Sequence, residues 1–131
     1  MTRFLAIQGS RTLSGPGVIE IIRAEVAKHT PDVIVTSADI VGACAEARIF
    51  AKVARIALQV HFTNSTKFAG GMHDRRSKEV QNHCEHVVFI WDGKSKGTRN
   101  EILLAMKTQK PFNVYLNEAA YDFPKTTRAG E

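Results

Sequence analysis

The sequence lacks an apolar run of the roughly 18–20 residues that a membrane-spanning helix requires. Its first residues, MTRFLAI, lead directly into a predicted strand and lack the apolar region and cleavage site of a signal peptide. Cysteine is scarce: Cys44 and Cys84 are the only two, and they form no CxxC motif. We therefore expect a cytoplasmic protein with no membrane association and with two free, mostly buried thiols.

Sequence motifs for several kinds of catalysis and metal binding are also missing. The chain does not contain the Walker A motif of a phosphate-binding loop. His83, Cys84, Glu85 and His86 form a short run of ligand-type residues, but no second ligand pair occurs at the spacing of a zinc site. The sequence therefore predicts no metal site, and it implies no cofactor.

The composition is typical of one globular domain. The 131 residues are 44% hydrophobic and 24% charged, so the chain is long and apolar enough to bury a core. Eighteen basic and 13 acidic residues give a formal net charge of +5 at pH 7. This charge favours anionic partners such as nucleotides or nucleic acid, but its dispersal along the sequence does not select one of them.

Short apolar runs alternate with amphipathic segments along the chain. The runs predict strands at residues 3–8, 32–36, 56–62, 87–91 and 111–116. Such an alternation builds a parallel sheet with helices on both faces. We therefore predict an α/β fold, a Rossmann-like three-layer α/β/α arrangement with a five-stranded, mainly parallel sheet in the order 3-2-1-4-5. Residues 1–116 would form a single nucleotide-binding domain, and residues 117–131 a C-terminal tail. In the second helix, the residues expected to face the core are Val41, Ala45, Ile49, Phe50 and Val53.

Residues 87–105, VVFIWDGKSKGTRNEILLA, carry the clearest functional pattern. They predict a buried strand, a glycine-containing loop and the first turns of a helix. The amide groups and the positive dipole end of such a helix point above the sheet, Gly97 allows a ligand to approach closely, and Lys94 and Lys96 add positive charge. The pattern therefore predicts an anionic ligand. Thr98 and Glu101 also match a capping box, which would give both side chains a structural role only.

A second polar loop, Gly9-Ser10-Arg11, follows the first predicted strand. In the order 3-2-1-4-5, the strand order reverses between the first and fourth strands, and doubly wound sheets bind their ligands beyond the carboxyl ends of strands at such a reversal. We therefore expect residues 9–11 and residues 93–98 to face each other across one crevice.

These features together resemble the SLOG superfamily, which includes DNA-processing protein A (Smf) and the LOG-type nucleoside-monophosphate phosphoribohydrolases. The likeness covers residues 3–116, is strongest to small bacterial and phage members, and includes Arg76 and an alanine-rich second helix. It implies a Rossmann-like sheet whose first and fourth strand loops hold a nucleotide or nucleotide derivative. Gly97, Thr98 and Glu101 match the GTxxE part of the LOG motif PGGxGTxxE, whose leading proline and paired glycines are absent here.

The residues and the resemblance together define a candidate site. Its expected ligand- and phosphate-binding residues are Gly9, Ser10, Arg11, Arg76, Asp92, Gly93, Lys94, Ser95, Gly97 and Thr98, and its candidate catalytic carboxylate is Glu101.

Three functions remain open. The first, which we favour, is a module that captures or senses a nucleotide or nucleotide-derived ligand. The second is a nucleoside 5′-monophosphate phosphoribohydrolase or related N-glycosidase that uses Glu101. The third is single-stranded DNA binding, as in DNA-processing protein A, although the sequence around Arg75 and Arg76 offers charge with almost no stacking aromatics. The apolar helix faces would also permit a homodimer.

Overall fold

The computed structural model describes residues 2–62, 78–82 and 84–124, whose strands form one six-stranded sheet. In chain order the elements are β1 (Phe4–Gly9), α1 (Pro16–His29), β2 (Val33–Ser37), α2 (Ala43–Ala54), β3 (Ala57–His61), α3 (which includes residues 78–82), β4 (His86–Trp91), α4 (Lys96–Lys107), β5 (Phe112–Leu116) and β6 (Ala119–Tyr121).

The sheet has the order β3-β2-β1-β4-β5-β6, and strands β1 to β5 are parallel to one another. Strand β6 pairs antiparallel with β5 at one edge. The predicted Rossmann-like α/β class and the order 3-2-1-4-5 are confirmed, and β6 is an addition to the five expected strands. The strand order reverses between β1 and β4, which run side by side from Leu5 opposite His86 to Gly9 opposite Ile90.

Helices cover both faces of the sheet, because alternate residues of each buried strand point to opposite sides. The core layer under α1 and α2 contains Leu5, Ile7, Val18, Ile22, Ile34, Ala47 and Ile90. The layer under α3 and α4 contains Ala6, Val35, Val80, Phe89, Ile102, Ala105 and Val114. The molecule therefore has the three layers that the alternation of strands and helices predicted.

Helix α2 packs against the sheet through small side chains. Its buried residues are Ala43, Cys44, Ala45, Ala47 and Ala51. Ile49 and Val53 are 57% and 79% exposed, so the expectation that α2 turns its large residues inward is wrong for these two and for Val41. The reason is the short distance between layers: a Cβ added at Gly9 would lie 2.7 Å from the Cβ of Ala43. Only small residues allow α2 to approach β1 so closely.

The chain does not become a tail at residue 117, as was expected of residues 117–131. Asn117 and Glu118 have φ values of 48° and 73° and form the turn between β5 and β6. Phe123 is 7% exposed, and its ring centroid lies 5.8 Å from that of Trp91. A two-residue turn with two positive φ values usually contains Asn-Gly, so the glutamate at its second position hid this hairpin from sequence reasoning. The folded region extends to at least Phe123.

Two expectations drawn from scarce features of the sequence concern the cysteines and the lack of a membrane-spanning helix. Cys44 and Cys84 are buried and free, as expected. Burial raises the pKa of the Cys84 thiol to about 12 and also raises the pKa of Cys44, so both thiols are protonated and unreactive at neutral pH. Within the described part of the chain, none of the helices has the length and apolar character needed to cross a membrane.

Because Phe123 belongs to the core, Phe123→Ala should destabilise the protein. Truncation of a buried phenylalanine costs about 3–5 kcal/mol, so we expect urea denaturation to show a free energy of unfolding lower by about 3 kcal/mol. Asp122→Ala, at the exposed neighbouring position, is the control and should change this energy by less than about 0.5 kcal/mol. Equal stability of Phe123→Ala and the wild type would mean that the residues after β5 add nothing to the core.

Candidate functional site

Two loops meet at the carboxyl edge of the sheet, one after β1 and one after β4. The amide of Ser10 donates to the carbonyl of Ile90 (2.9 Å), and the Ser10 hydroxyl accepts a hydrogen bond from the amide of Asp92 (3.1 Å). The hydroxyl of Thr12 donates to the Asp92 carboxylate (2.6 Å). The structure therefore brings together the two loops that the sequence placed on either side of a crevice.

Asp92 organises the loop after β4. Its carboxylate accepts hydrogen bonds from the amides of Lys94 (2.8 Å) and Ser95 (2.7 Å) and from the hydroxyls of Ser95 (3.0 Å) and Thr12 (2.6 Å). Burial by itself would raise the pKa of Asp92, but these hydrogen bonds favour the charged form and hold the pKa well below its usual range. The carboxylate charge is directed into the loop, so the structure gives Asp92 and Ser95 a shaping role.

Three glycines of the candidate site have different reasons to be glycine. A Cβ at Gly9 would lie 2.5 Å from the carbonyl oxygen of Ile90, so β1 and β4 pack too closely there for any side chain. Gly93 has a φ of 81°, which the tight loop requires. Gly97 lies in the first turn of α4, and nothing lies within 4 Å of the position that its Cβ would take. Neither packing nor backbone conformation explains Gly97.

Helix α4 begins at Lys96 with Ser95 as its N-cap residue, whereas the capping-box interpretation places Thr98 at the N-cap. Its first intrahelical bond joins the amide of Arg99 to the carbonyl of Ser95 (3.1 Å), so the amides of residues 96–98 have no acceptor within the helix. Thr98 is the third helical residue, and Ser95 makes no side-chain capping bond. The capping-box interpretation of Thr98 and Glu101 is therefore wrong, because neither residue stands at the position that a capping box requires.

Thr98 instead faces the other loop. Its side chain is buried, and its Oγ1 atom lies 3.4 Å from the Oγ atom of Ser10. The first turn of α4 contains no acidic residue. The N-terminus of α4 thus joins the loop after β1 through two hydroxyl groups, while its dipole charge is not neutralised by a carboxylate of that turn.

Two buried glutamines, which sequence reasoning missed, hold Glu101. The Nε2 atom of Gln8 donates to Oε2 of Glu101 (3.3 Å). The Nε2 atom of Gln81 donates to Oε1 of Gln8 (3.0 Å) and to the backbone carbonyl of Glu101 (3.0 Å). Gln8 is 1% exposed and Gln81 3% exposed. The sequence did contain one indication of this group. Gln8 is a polar residue at the end of an otherwise apolar strand, next to the predicted site.

The N-terminus of α2 supports the loop after β1 from the other side. The amide of Ala43 donates to the carbonyl of Ser10 (3.1 Å). Gly42 has a φ of 92°, and a Cβ at this position would lie 2.3 Å from the Cα of Arg11. Gly42 was not predicted as a site residue, although this glycine leaves room for the backbone at Ser10 and Arg11.

The cationic side chains expected at the site lie on its surface. Arg11, Lys94 and Lys96 are exposed. Arg11 follows β1, Lys94 lies in the loop after β4 and Lys96 begins α4, so all three cations lie at the same edge of the sheet. Arg76, the remaining predicted phosphate-binding residue, lies outside the described residues.

Comparisons of the chain with protein-family models, with curated proteins and with solved structures gave no match. The likeness to the SLOG superfamily therefore stays a prediction from the sequence, and the functional argument below depends on the geometry of the site.

The hydrogen bonds of Asp92 predict a pH-dependent contribution to stability. Asp92→Asn should lower the free energy of unfolding at pH 7 by about 1–3 kcal/mol, because a charged acceptor is replaced by a neutral amide. A pKa that is depressed in the folded state stabilises the protein above the ordinary aspartate value of about 3.9, and this stabilisation is lost as the pH falls below that value. The deficit of the variant should therefore shrink between about pH 5 and pH 3 in chemical denaturation.

Asp122→Asn, which changes an exposed aspartate outside the loop, is the matched control for this measurement. We expect it to stay within about 0.5 kcal/mol of the wild type at pH 7. A deficit for Asp92→Asn that is constant across this pH range would contradict the assignment of the charged form to Asp92.

Proposed function

We propose that the protein binds a nucleotide or a nucleotide-derived ligand at the carboxyl edge of the sheet, with a phosphate at the N-terminus of α4. The observation that carries this proposal is Gly97, which is exposed, has open space where a Cβ would stand, and has no packing role. A glycine at this position leaves room for an anionic group to approach the backbone amides. The protein would act as a module that captures or senses this ligand.

The charges around the helix support an anionic ligand. The amides of residues 96–98 have no acceptor within α4, and the first turn of the helix contains no acidic side chain. Arg11, Lys94 and Lys96 add exposed positive charge on both loops. The one carboxylate within the loop, Asp92, already accepts four hydrogen bonds from the protein. The N-terminus of α4 and the cations beside it therefore favour a negative group at this position.

The neighbouring polar groups support a nucleotide over a simple anion. Beyond the phosphate position, Ser10 and Thr98 supply hydroxyls, and Gln8, Gln81 and Glu101 form a hydrogen-bonded group at the same edge. The half-buried Glu101 carboxylate can accept hydrogen bonds from ribose hydroxyls, while the other four side chains are buried and support the site from within. The site also lies where the strand order reverses, which is the usual ligand position in sheets of this class.

Gly97→Ala separates ligand binding from folding. Alanine is the better helix former by about 1 kcal/mol, and nothing obstructs its methyl group, so the variant should be at least as stable as the wild type. The wild type should be stabilised by one compound in a panel of nucleoside mono- and triphosphates, NAD, ADP-ribose and cyclic nucleotides. A ligand at 100 times its dissociation constant adds about 2.7 kcal/mol, and this gain should be lost in Gly97→Ala.

Thermal denaturation with and without each compound measures this effect. Lys96→Ala should weaken the same ligand, and Lys107→Ala in the last turn of α4 is its matched control because it changes one charge at the other end of the helix. A panel without any stabilising compound, or a stabilisation that Gly97→Ala leaves intact, would contradict the proposal.

A second candidate function is hydrolysis of the N-glycosidic bond of the bound nucleotide. The observation that favours it is the hydrogen bond from Gln8 to Glu101, which orients one carboxylate oxygen at the end of β1, the strand that leads into the site. In this reaction water attacks the anomeric carbon of the ribose, and the bond to the base breaks with its electron pair passing to the base nitrogen. A carboxylate takes a proton from the water, and this proton neutralises the departing base. Glu101 is the residue that would take this proton.

Glu101→Gln tests the second function independently of binding. If the protein is a hydrolase, the variant should retain ligand-dependent stabilisation while release of free base falls by at least about 100-fold, which is the lower range for a general base. Chromatography of the ligand after incubation with each protein measures the release. Recovery of intact ligand after incubation with the wild type would contradict hydrolysis and would be consistent with ligand capture.

A further inference from the structure

A second group of polar side chains lies at the amino-terminal edge of the sheet, opposite the site described above. Glu25 and His29 stand one turn apart near the end of α1, and His86 is the first residue of β4. Asn113 and Tyr115 come from β5. The function proposed for the carboxyl edge uses none of these residues.

Glu25 is a buried carboxylate whose two oxygens have different surroundings. It is 3% exposed, and its Oε2 atom accepts hydrogen bonds from Nδ2 of Asn113 (2.9 Å) and from the hydroxyl of Tyr115. Its Oε1 atom has no hydrogen-bond partner among the described residues, and the same is true of Nε2 of His29. These two buried atoms lie 3.2 Å from each other. One carboxylate oxygen is thus fixed, while the other is aimed at an imidazole nitrogen.

A third ligand-type side chain completes the group. The ring of His86 stacks on that of His29 with a centroid distance of 4.3 Å. One ligand atom from each of Glu25, His29 and His86 lies within 4.8 Å of the other two. Bonds of about 2.0–2.1 Å from zinc to nitrogen or oxygen place tetrahedral ligand atoms about 3.4 Å apart. The atoms of Glu25 and His29 already have this spacing, at 3.2 Å.

The surrounding hydrogen bonds resemble the outer shell of a metal site. In such sites a second group orients each ligand through the atom that does not bind the metal. Asn113 and Tyr115 hold the other oxygen of Glu25, and Oδ1 of Asn113 lies 2.6 Å from Nε2 of His86. Asn113 therefore positions two of the three ligands at once.

We propose that Glu25, His29 and His86 bind a divalent transition-metal ion, with zinc as the best match to two imidazoles and one carboxylate. The ion would supply the positive charge that a buried carboxylate needs. His29 and His86 also line a surface pocket of about 500 Å³, together with Arg3, Pro31 and Glu85 among others. A three-ligand site beside a pocket leaves a fourth position for water or for an exogenous ligand.

The test uses the full chain and zinc alone. Isothermal titration of metal-free protein should give one tightly bound Zn²⁺ per chain, and Co²⁺ should give the visible absorption of a four-coordinate site. His29→Ala and His86→Ala should each weaken zinc binding by at least about 100-fold, whereas Asn113→Ala should weaken it by about 10–100-fold, as an outer-shell change does. His61→Gln, which changes a histidine of β3, is the matched control and should bind zinc as the wild type does.

Each outcome decides the proposal. Absence of stoichiometric zinc binding by the wild type would mean that the cluster is only a buried ion pair and would overturn it. Binding that survives in His29→Ala and His86→Ala, or that is lost in His61→Gln, would also overturn it. If a variant does not fold, imidazole ¹⁵N NMR of the wild type replaces it: zinc should shift two of the five histidines, and shifts at other histidines would overturn the proposal.

Discussion

The parallel pairing of β1 with β4 is the contact on which the rest of the structure depends. These strands are distant in sequence, yet five residues of each lie in register, from Leu5 opposite His86 to Gly9 opposite Ile90. The carboxyl end of this pair brings Ser10 against Asp92. Its amino end places His86 beside the last turn of α1. Both candidate sites therefore arise from one strand pairing.

Close packing around this pair determines which residues can be large. Gly9 has no room for a side chain, and the N-terminus of α2 passes so near that Gly42 and Ala43 must also be small. This close packing fixes the backbone at the start of the loop after β1. The consequence is that α2 presents Ile49 and Val53 to the outside, while Phe50 still packs against the core. Sequence reasoning assigns large apolar residues to the core, so it cannot recognise a helix whose position is set by contact between backbones.

The parts that the sequence predicted correctly depend on repeated patterns. Continuous apolar runs identify strands buried on both faces, and their alternation with helices leaves few topologies, so the order of β1 to β5 could be predicted. The parts that failed depend on single residues. The turn at Asn117 and Glu118 lacks the usual glycine, and Ser95 rather than Thr98 precedes α4. Buried Gln8 and Gln81 are far apart in the sequence and contact each other only in the folded protein, so no local sequence pattern predicts their contact.

The same limit explains why the sequence predicted no metal site. Spacing rules detect ligands that are close along the chain, and they drew attention to the run of ligand-type residues at positions 83–86. The structure instead groups His86 with Glu25 and His29, which α1 contributes from a distant part of the sequence. The two candidate sites then lie at opposite ends of β1 and β4. A strand of six residues spans about 17–20 Å, so a group bound at one edge cannot contact a group bound at the other. Their stabilising effects should therefore add, unless the pairing of β1 with β4 itself shifts.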